Sequence, residues 1–153
     1  MQAKDYARSL YKHTDIESPP IKLDPILDAL GIELFEGDVA NVDGIAYKNK
    51  DSPAIMVHRD LTPERRRFAI AHELGHLVMP HSVSYRICPP ERDSRVERDA
   101  DRFAAELLVP EPTLRKLWPR YRDNVEYRVS ILAELFEVSK TTMAIRVRQL
   151  RLK

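Results

Sequence analysis

The chain predicts an α+β fold: a small three-stranded antiparallel sheet packed on a helical core, closed by a helix-turn-helix-like pair at the C-terminal end. Short segments of strand character are confined to residues 32–58, helical runs with an apolar face or wholly apolar stand on either side, and a 3.6-residue apolar stripe runs through the last thirty residues. A length of 153 residues with 43% hydrophobic content suits a single domain with a core large enough to fold unaided. Within it the sequence divides into N-terminal helices (1–31), the sheet (32–58), two central helices (62–110) and the C-terminal pair (124–153).

A first helix is expected over residues 3–13, stopped by Ser18-Pro19-Pro20. Asp24 then caps a short helix over 25–30, which Gly31 closes. Strands follow at 32–35, 44–48 and 54–57, the last two joined through Asn49-Lys50-Asp51-Ser52-Pro53 as a hairpin. The next helix is well marked: Thr62 is an N-cap, Pro63 takes the first helical position, and Pro80 supplies a stop. Residues 81–93, with Pro89 and Pro90 and no period, read as a loop. Residues 95–108 form an amphipathic helix with Val96, Ala100, Phe103, Ala104, Leu107 and Leu108 on its apolar face.

Several classes are excluded. No run approaches the ~20 apolar residues of a membrane helix, and Lys4, Asp5, Arg8, Lys12, Asp15 and Glu17 rule out a secretory signal at the start. The single cysteine, Cys88, forbids an intrachain disulfide and fits a reducing, cytoplasmic setting. A net charge of +1 provides no global field for nucleic acid.

The chemistry concentrates in His72-Glu73-Leu74-Gly75-His76. On a helix, HExxH sets two imidazoles one turn apart on one face with a carboxylate beside them, as a zinc hydrolase requires, and makes the expected core zincin-like. From Phe68 to Met79 every residue except these two histidines and Glu73 is apolar or glycine. An ionised carboxylate in such surroundings costs several kcal/mol unless compensated, and a divalent cation held by neutral imidazoles compensates it.

A catalytic zinc needs a third protein ligand and an open position. His81 does not fit the extended HExxHxxGxxH spacing, because Met79 and Ser82 occupy the positions that should be glycine and histidine. Cys88 stands in a proline-flanked stretch without companions, and His13 and His58 have no motif around them. In the 95–108 helix, placing residues at 100° intervals turns Glu97 into the apolar arc, sets Asp101 at its margin one turn on, and leaves Asp99 and Glu106 on the opposite flank. Glu97 is then the direct oxygen ligand, and Asp101 accepts the free ring N–H of a ligating histidine. The plainer alternative is that both merely pair with Arg98, Arg102 or the Arg65-Arg66-Arg67 cluster. Ala104, Ala105 and Gly75 would let the two helices approach closely. Zinc is expected from the ligand types, although His/His/Glu sites also accept manganese or iron.

Taken together, HELGH, the following ExxxD, the run Phe103-Ala104-Ala105-Glu106-Leu107-Leu108-Val109-Pro110, and Asp43-Gly44-Ile45-Ala46 with Arg67-Phe68-Ala69-Ile70-Ala71 resemble the ImmA/IrrE family of small metallopeptidases over roughly residues 20–150. The resemblance implies a gluzincin-like fold with His72, His76 and Glu97 on zinc and Glu73 as catalytic base. It further implies a bacterial or phage setting and cleavage of an Xre-type helix-turn-helix repressor, which derepresses stress-response or mobile-element genes. Asp101 departs from the asparagine of many members, keeping an acceptor and adding charge. The chain also ends soon after this domain, so an appended sensor domain of larger members is not expected. Tyr85, Tyr47 and His58 are candidate donors to the oxyanion of a tetrahedral intermediate, and the sequence does not choose among them.

At the C-terminal end Val125, Val129, Leu132, Ala133 and Phe136 form an apolar stripe, Ser139 caps a second helix, and Met143, Ala144, Val147 and Leu150 point inward. Lys140, Arg146, Arg148, Arg151 and Lys153 follow without a single acid. A DNA-contacting helix is one reading. A helical pair with a solvated basic edge is preferred, because the turn lacks its usual glycine and the whole chain is nearly neutral. The rival function is accordingly a transcriptional regulator or antitoxin-like binding module whose metal is structural. A broad-specificity peptidase without a dedicated partner is a third.

Overall fold

A computed structural model describes residues 1–49, 51–80 and 94–153. Among these residues the order is α1 (Ala3–Arg8), α2 (Asp24–Leu30), β1 (Glu33–Gly37), β2 (Gly44–Tyr47), β3 (Ala54–His58), α3 (Pro63–Val78), α4 (Ser94–Leu108), α5 (Glu111–Leu117), α6 (Arg128–Phe136) and α7 (Lys140–Gln149). The expected first helix stops early: α1 ends at Arg8, and Tyr11–His13 is a separate 3-10 turn. The cap of α2 is Leu23 rather than Asp24. None of the described helices is long and apolar enough to cross a membrane.

The sheet is mixed, which corrects the antiparallel expectation. β3 lies in the centre, antiparallel to β2 and parallel to β1. Residues 38–43 carry the chain over the end of β3, where His58 N–H donates to the Asp43 carbonyl (2.8 Å) and Arg59 N–H to that of Gly37 (3.1 Å). Alternating hydrophobicity sets which face of a strand is buried but not which strand lies beside it, so the order β1-β3-β2 was invisible in the pattern.

Ala46 on β2, with Ile55 and Val57 on β3, is fully buried in the core between the sheet and α3. The α3 start follows its signals, with the Thr62 hydroxyl accepting from Arg65 N–H and Pro63 at the first position. α4 packs against α3 through Phe103 at the one place where α3 has no side chain. A Cβ on Gly75 would lie 3.0 Å from Phe103 Cδ1, so this contact distance needs glycine.

Two further expectations are corrected. Glu106, placed on the outer flank of α4, is buried, and so is Arg146, placed on the basic edge of α7. α4 is covered on a second side by α1, and Arg146 of α7 reaches over to Glu106 and the Val109 carbonyl, so the 103–108 turns have no solvent flank. Val125 is 81% exposed because α6 starts only at Arg128 and leaves it out of the stripe. The α6–α7 pair itself is joined by three residues, with the Ser139 hydroxyl capping α7 at Thr142 N–H (3.0 Å).

Candidate metal centre

α3 presents His72 and His76 from successive turns towards Glu97 near the start of α4. One donor atom from each of the three lies within 4.8 Å of the others. The polar atoms form a tight triangle: His72 Nε2 to Glu97 Oε1 2.9 Å, His76 Nε2 to Glu97 Oε2 3.0 Å, and His76 Nε2 to His72 Nε2 3.2 Å. Zinc–nitrogen distances near 2.0–2.1 Å put neighbouring ligand atoms of a tetrahedral site about 3.3 Å apart, so the triangle has the dimensions of one face of such a site. His76 is fully buried and Glu97 is mostly buried, so an ion held here would be coordinated largely from the protein interior.

The partner of the other ring nitrogen suits this use. Asp101 Oδ1 lies 2.8 Å from His72 Nδ1, on the far side of the ring from the triangle. A proton on Nδ1, donated to Asp101, leaves the Nε2 lone pair aimed at the triangle centre. Of the arginines in the alternative pairing, the Arg65-Arg66-Arg67 cluster is engaged elsewhere: Arg65 pairs with Asp43 (2.7 Å), Arg66 with Glu36 (3.3 Å), and Arg67 donates to the Phe136 and Glu137 carbonyls.

Without an ion, protons hold this cluster together. Burial opposes charge on His72, but hydrogen bonds to Asp101 and Glu97 and the nearby Glu73 charge outweigh it and push the imidazole up to about 9. Burial likewise works to raise Glu97, and hydrogen bonds from the two histidines overcome it and hold the carboxyl well below its usual range. An incoming ion must displace the His72 proton at any pH below about 9. Zinc affinity should therefore tighten as pH rises, by about a hundredfold from pH 6.5 to 8.5, in a competition titration against a chromophoric chelator. A flat affinity over that interval would show that no proton leaves His72 when the ion binds.

Glu73 is 3% exposed and lies between the two histidines on α3, under the start of β2. A Cβ on Gly44 would stand 3.1 Å from Glu73 Cγ and 3.2 Å from the Met56 carbonyl, so the absent side chain is what lets β2 run directly over the carboxylate. Beside it opens a cleft of about 280 Å³, lined by residues 41–44 together with Phe68, Ala69, His72 and Glu73. Asn41, in the loop that shapes this cleft, has φ +63°, a left-handed conformation that asparagine tolerates better than most residues.

Of the three candidate oxyanion donors, Tyr47 stands at the opposite end of β2 from Gly44, and His58 ends β3 with its Nδ1 accepting from Asp60 N–H (3.1 Å). Neither lines the cleft. Tyr85 lies outside the described residues, as do His81 and Cys88.

With this geometry in view, the model of the IrrE N-terminal-like domain matches residues 27–148, from within α2 to within α7. The chain belongs to that family. A curated relative, Metallopeptidase ImmA of Bacillus subtilis (strain 168), is 25% identical over 97 residues, covering 61% of this chain and 57% of the relative. Among solved structures, a Mycobacterium tuberculosis transcriptional regulator superimposes with a TM-score of 0.61 at 19% identity, over 95% of this chain and 46% of that one. The chain thus spans about half the length of both, and the second likeness is one of fold.

Proposed function

We propose that this chain is a zinc-dependent metalloendopeptidase domain whose substrate is an Xre-type helix-turn-helix repressor. The observation that carries the reading is the buried Glu73 carboxylate set between two histidines that meet Glu97 in a triangle of about 3 Å sides. Membership of the IrrE N-terminal-like family and the likeness to Metallopeptidase ImmA support it.

In this reading His72, His76 and Glu97 would hold the ion, which would supply Lewis-acid polarisation of the scissile carbonyl and acidification of the attacking water. Manganese or iron would fit the same donors. Glu73 removes the proton from that water and later delivers it to the leaving amine. Asp101 keeps His72 in the tautomer that offers Nε2. Among the described strands β2 lies at the edge of the sheet, running over Glu73, and its outer backbone edge would pair with an extended substrate segment, adding affinity with little sequence selectivity.

The test combines metal analysis with cleavage of the repressor that such a chain would control. Wild-type protein should bind one zinc, lose cleavage on chelation and regain it with zinc. Glu97→Ala should lose the ion at micromolar zinc, whereas Asp101→Ala should weaken it only by about 10- to 100-fold. Cleavage that persists in demonstrably metal-free protein would refute the proposal.

A further inference from the structure

We propose that α6, its turn and α7 form a helix-turn-helix that binds double-stranded DNA through the exposed face of α7. The inference is independent of the peptidase reading. Sequence alone raises two objections to it, the missing turn glycine and the neutral net charge, and the structure answers both.

The turn takes the required shape without glycine. Glu137, directly after α6, has φ +55° and ψ +48°, the left-handed conformation that a helix-turn-helix turn usually assigns to glycine. Glu137 N–H and Val138 N–H close onto the Glu134 and Ala133 carbonyls, and the Arg67 guanidinium donates to the carbonyls of Phe136 and Glu137. Leu132, Ala133, Phe136, Val138 and Met143 fill the inside of the pair. Ser139 then starts α7 after a turn of three residues.

The near-neutral total conceals a polarised distribution. Residues 113–153 contain ten Lys and Arg against four Asp and Glu, a net +6, so the rest of the chain carries −5. Arg146 is drawn inside, onto Glu106 and the Val109 carbonyl, and fixes the orientation of α7. The opposite face remains exposed and presents Lys140, Thr141, Ile145, Arg148 and Gln149. The acids of the pair, Glu134 and Glu137, belong to α6 and the turn, and none lies on α7 or beyond. Ile145, 42% exposed, lies on the same face as the basic side chains. The set matches major-groove chemistry: arginine and lysine for guanine and phosphate, glutamine for adenine, and an apolar side chain for the thymine methyl.

The test is fluorescence anisotropy of the full chain with a labelled 30-base-pair duplex of mixed sequence. Saturable binding is expected at 50 mM salt, weakening by about a hundredfold at 200 mM if about four phosphates are contacted. The double variant Lys140→Glu/Arg148→Glu should bind at least about tenfold more weakly with an unchanged melting temperature, since both side chains are exposed. Lys116→Glu/Arg120→Glu, equal in charge but off α7, should have a much smaller effect. Absence of saturable binding at 50 mM salt would overturn the proposal, and so would equal losses in the two double variants. Binding to polyglutamate but not to the duplex would reassign the face to an acidic protein.

Discussion

Replacing Glu73 by Gln should leave zinc content unchanged and reduce peptide hydrolysis by about two to four orders of magnitude. Glutamine preserves the shape and the packing under Gly44, where an added methyl would already be 3.1 Å from the side chain. What it removes is the ability to accept a proton and return it. None of the three candidate ligand atoms belongs to residue 73, so ion binding and proton transfer separate cleanly in this variant. The measurement is single-turnover cleavage beside metal analysis of the same sample. Full activity would refute the role of Glu73, and loss of the ion would show that its carboxylate acts on the site's electrostatics instead. Glu73→Ala is the less informative change, since it opens a void next to His72 in addition to removing the base.

The parts of the fold legible in advance were those governed by local rules. Thr62 and Pro63 mark the start of α3 because a cap and a proline act within one turn. The inward turn of Glu97 follows from helical phase, and it meets both histidines. Strand existence was equally local. Strand order depends on a crossing loop whose destination is written in no single segment, and the parallel pairing of β1 with β3 went unread for that reason.

The missed residues have a common cause. Phase was applied to α4 as though it had one neighbour, which left Glu106 on a solvent flank, whereas Phe103 through Pro110 is buried without interruption. Such a run carries its own signal. The argument that makes Glu73 unusual, a lone carboxylate in an otherwise apolar stretch, applies unchanged to Glu106 between Ala105 and Leu107. Arg146 was likewise visible: it lies three residues from Met143 and four from Leu150, on the inward face of α7. At Glu137 the left-handed conformation occurs without glycine, a feature that no residue of the turn announces.

Glu106→Ala should destabilise the protein by about 3–5 kcal/mol, the cost of stranding a buried charge. The Glu106 carboxylate is 1% exposed and joins four elements: Arg146 Nη2 of α7 at 2.6 Å, Arg8 Nη2 of α1 at 3.4 Å, Glu111 N–H at the start of α5 at 3.2 Å, and the Tyr11 hydroxyl, which donates to it. Burial and the adjacent Glu106 charge both push the Tyr11 phenol upward, so it stays a donor throughout the accessible range. Arg146 is 6% exposed, and in the alanine variant it keeps only the Val109 carbonyl at 2.9 Å. Glu106→Gln should cost less, about 1–3 kcal/mol, because the amide oxygen still accepts one hydrogen bond. The decisive comparison is the double variant Glu106→Leu/Arg146→Met. If the penalty comes from an uncompensated charge, removing both partners should recover most of the stability in urea denaturation. If the two single losses simply add, the carboxylate matters for its shape and its several hydrogen bonds instead. A cost below about 1 kcal/mol for Glu106→Ala would mean that water reaches this junction and that α1 and α7 are held to α4 by apolar packing alone.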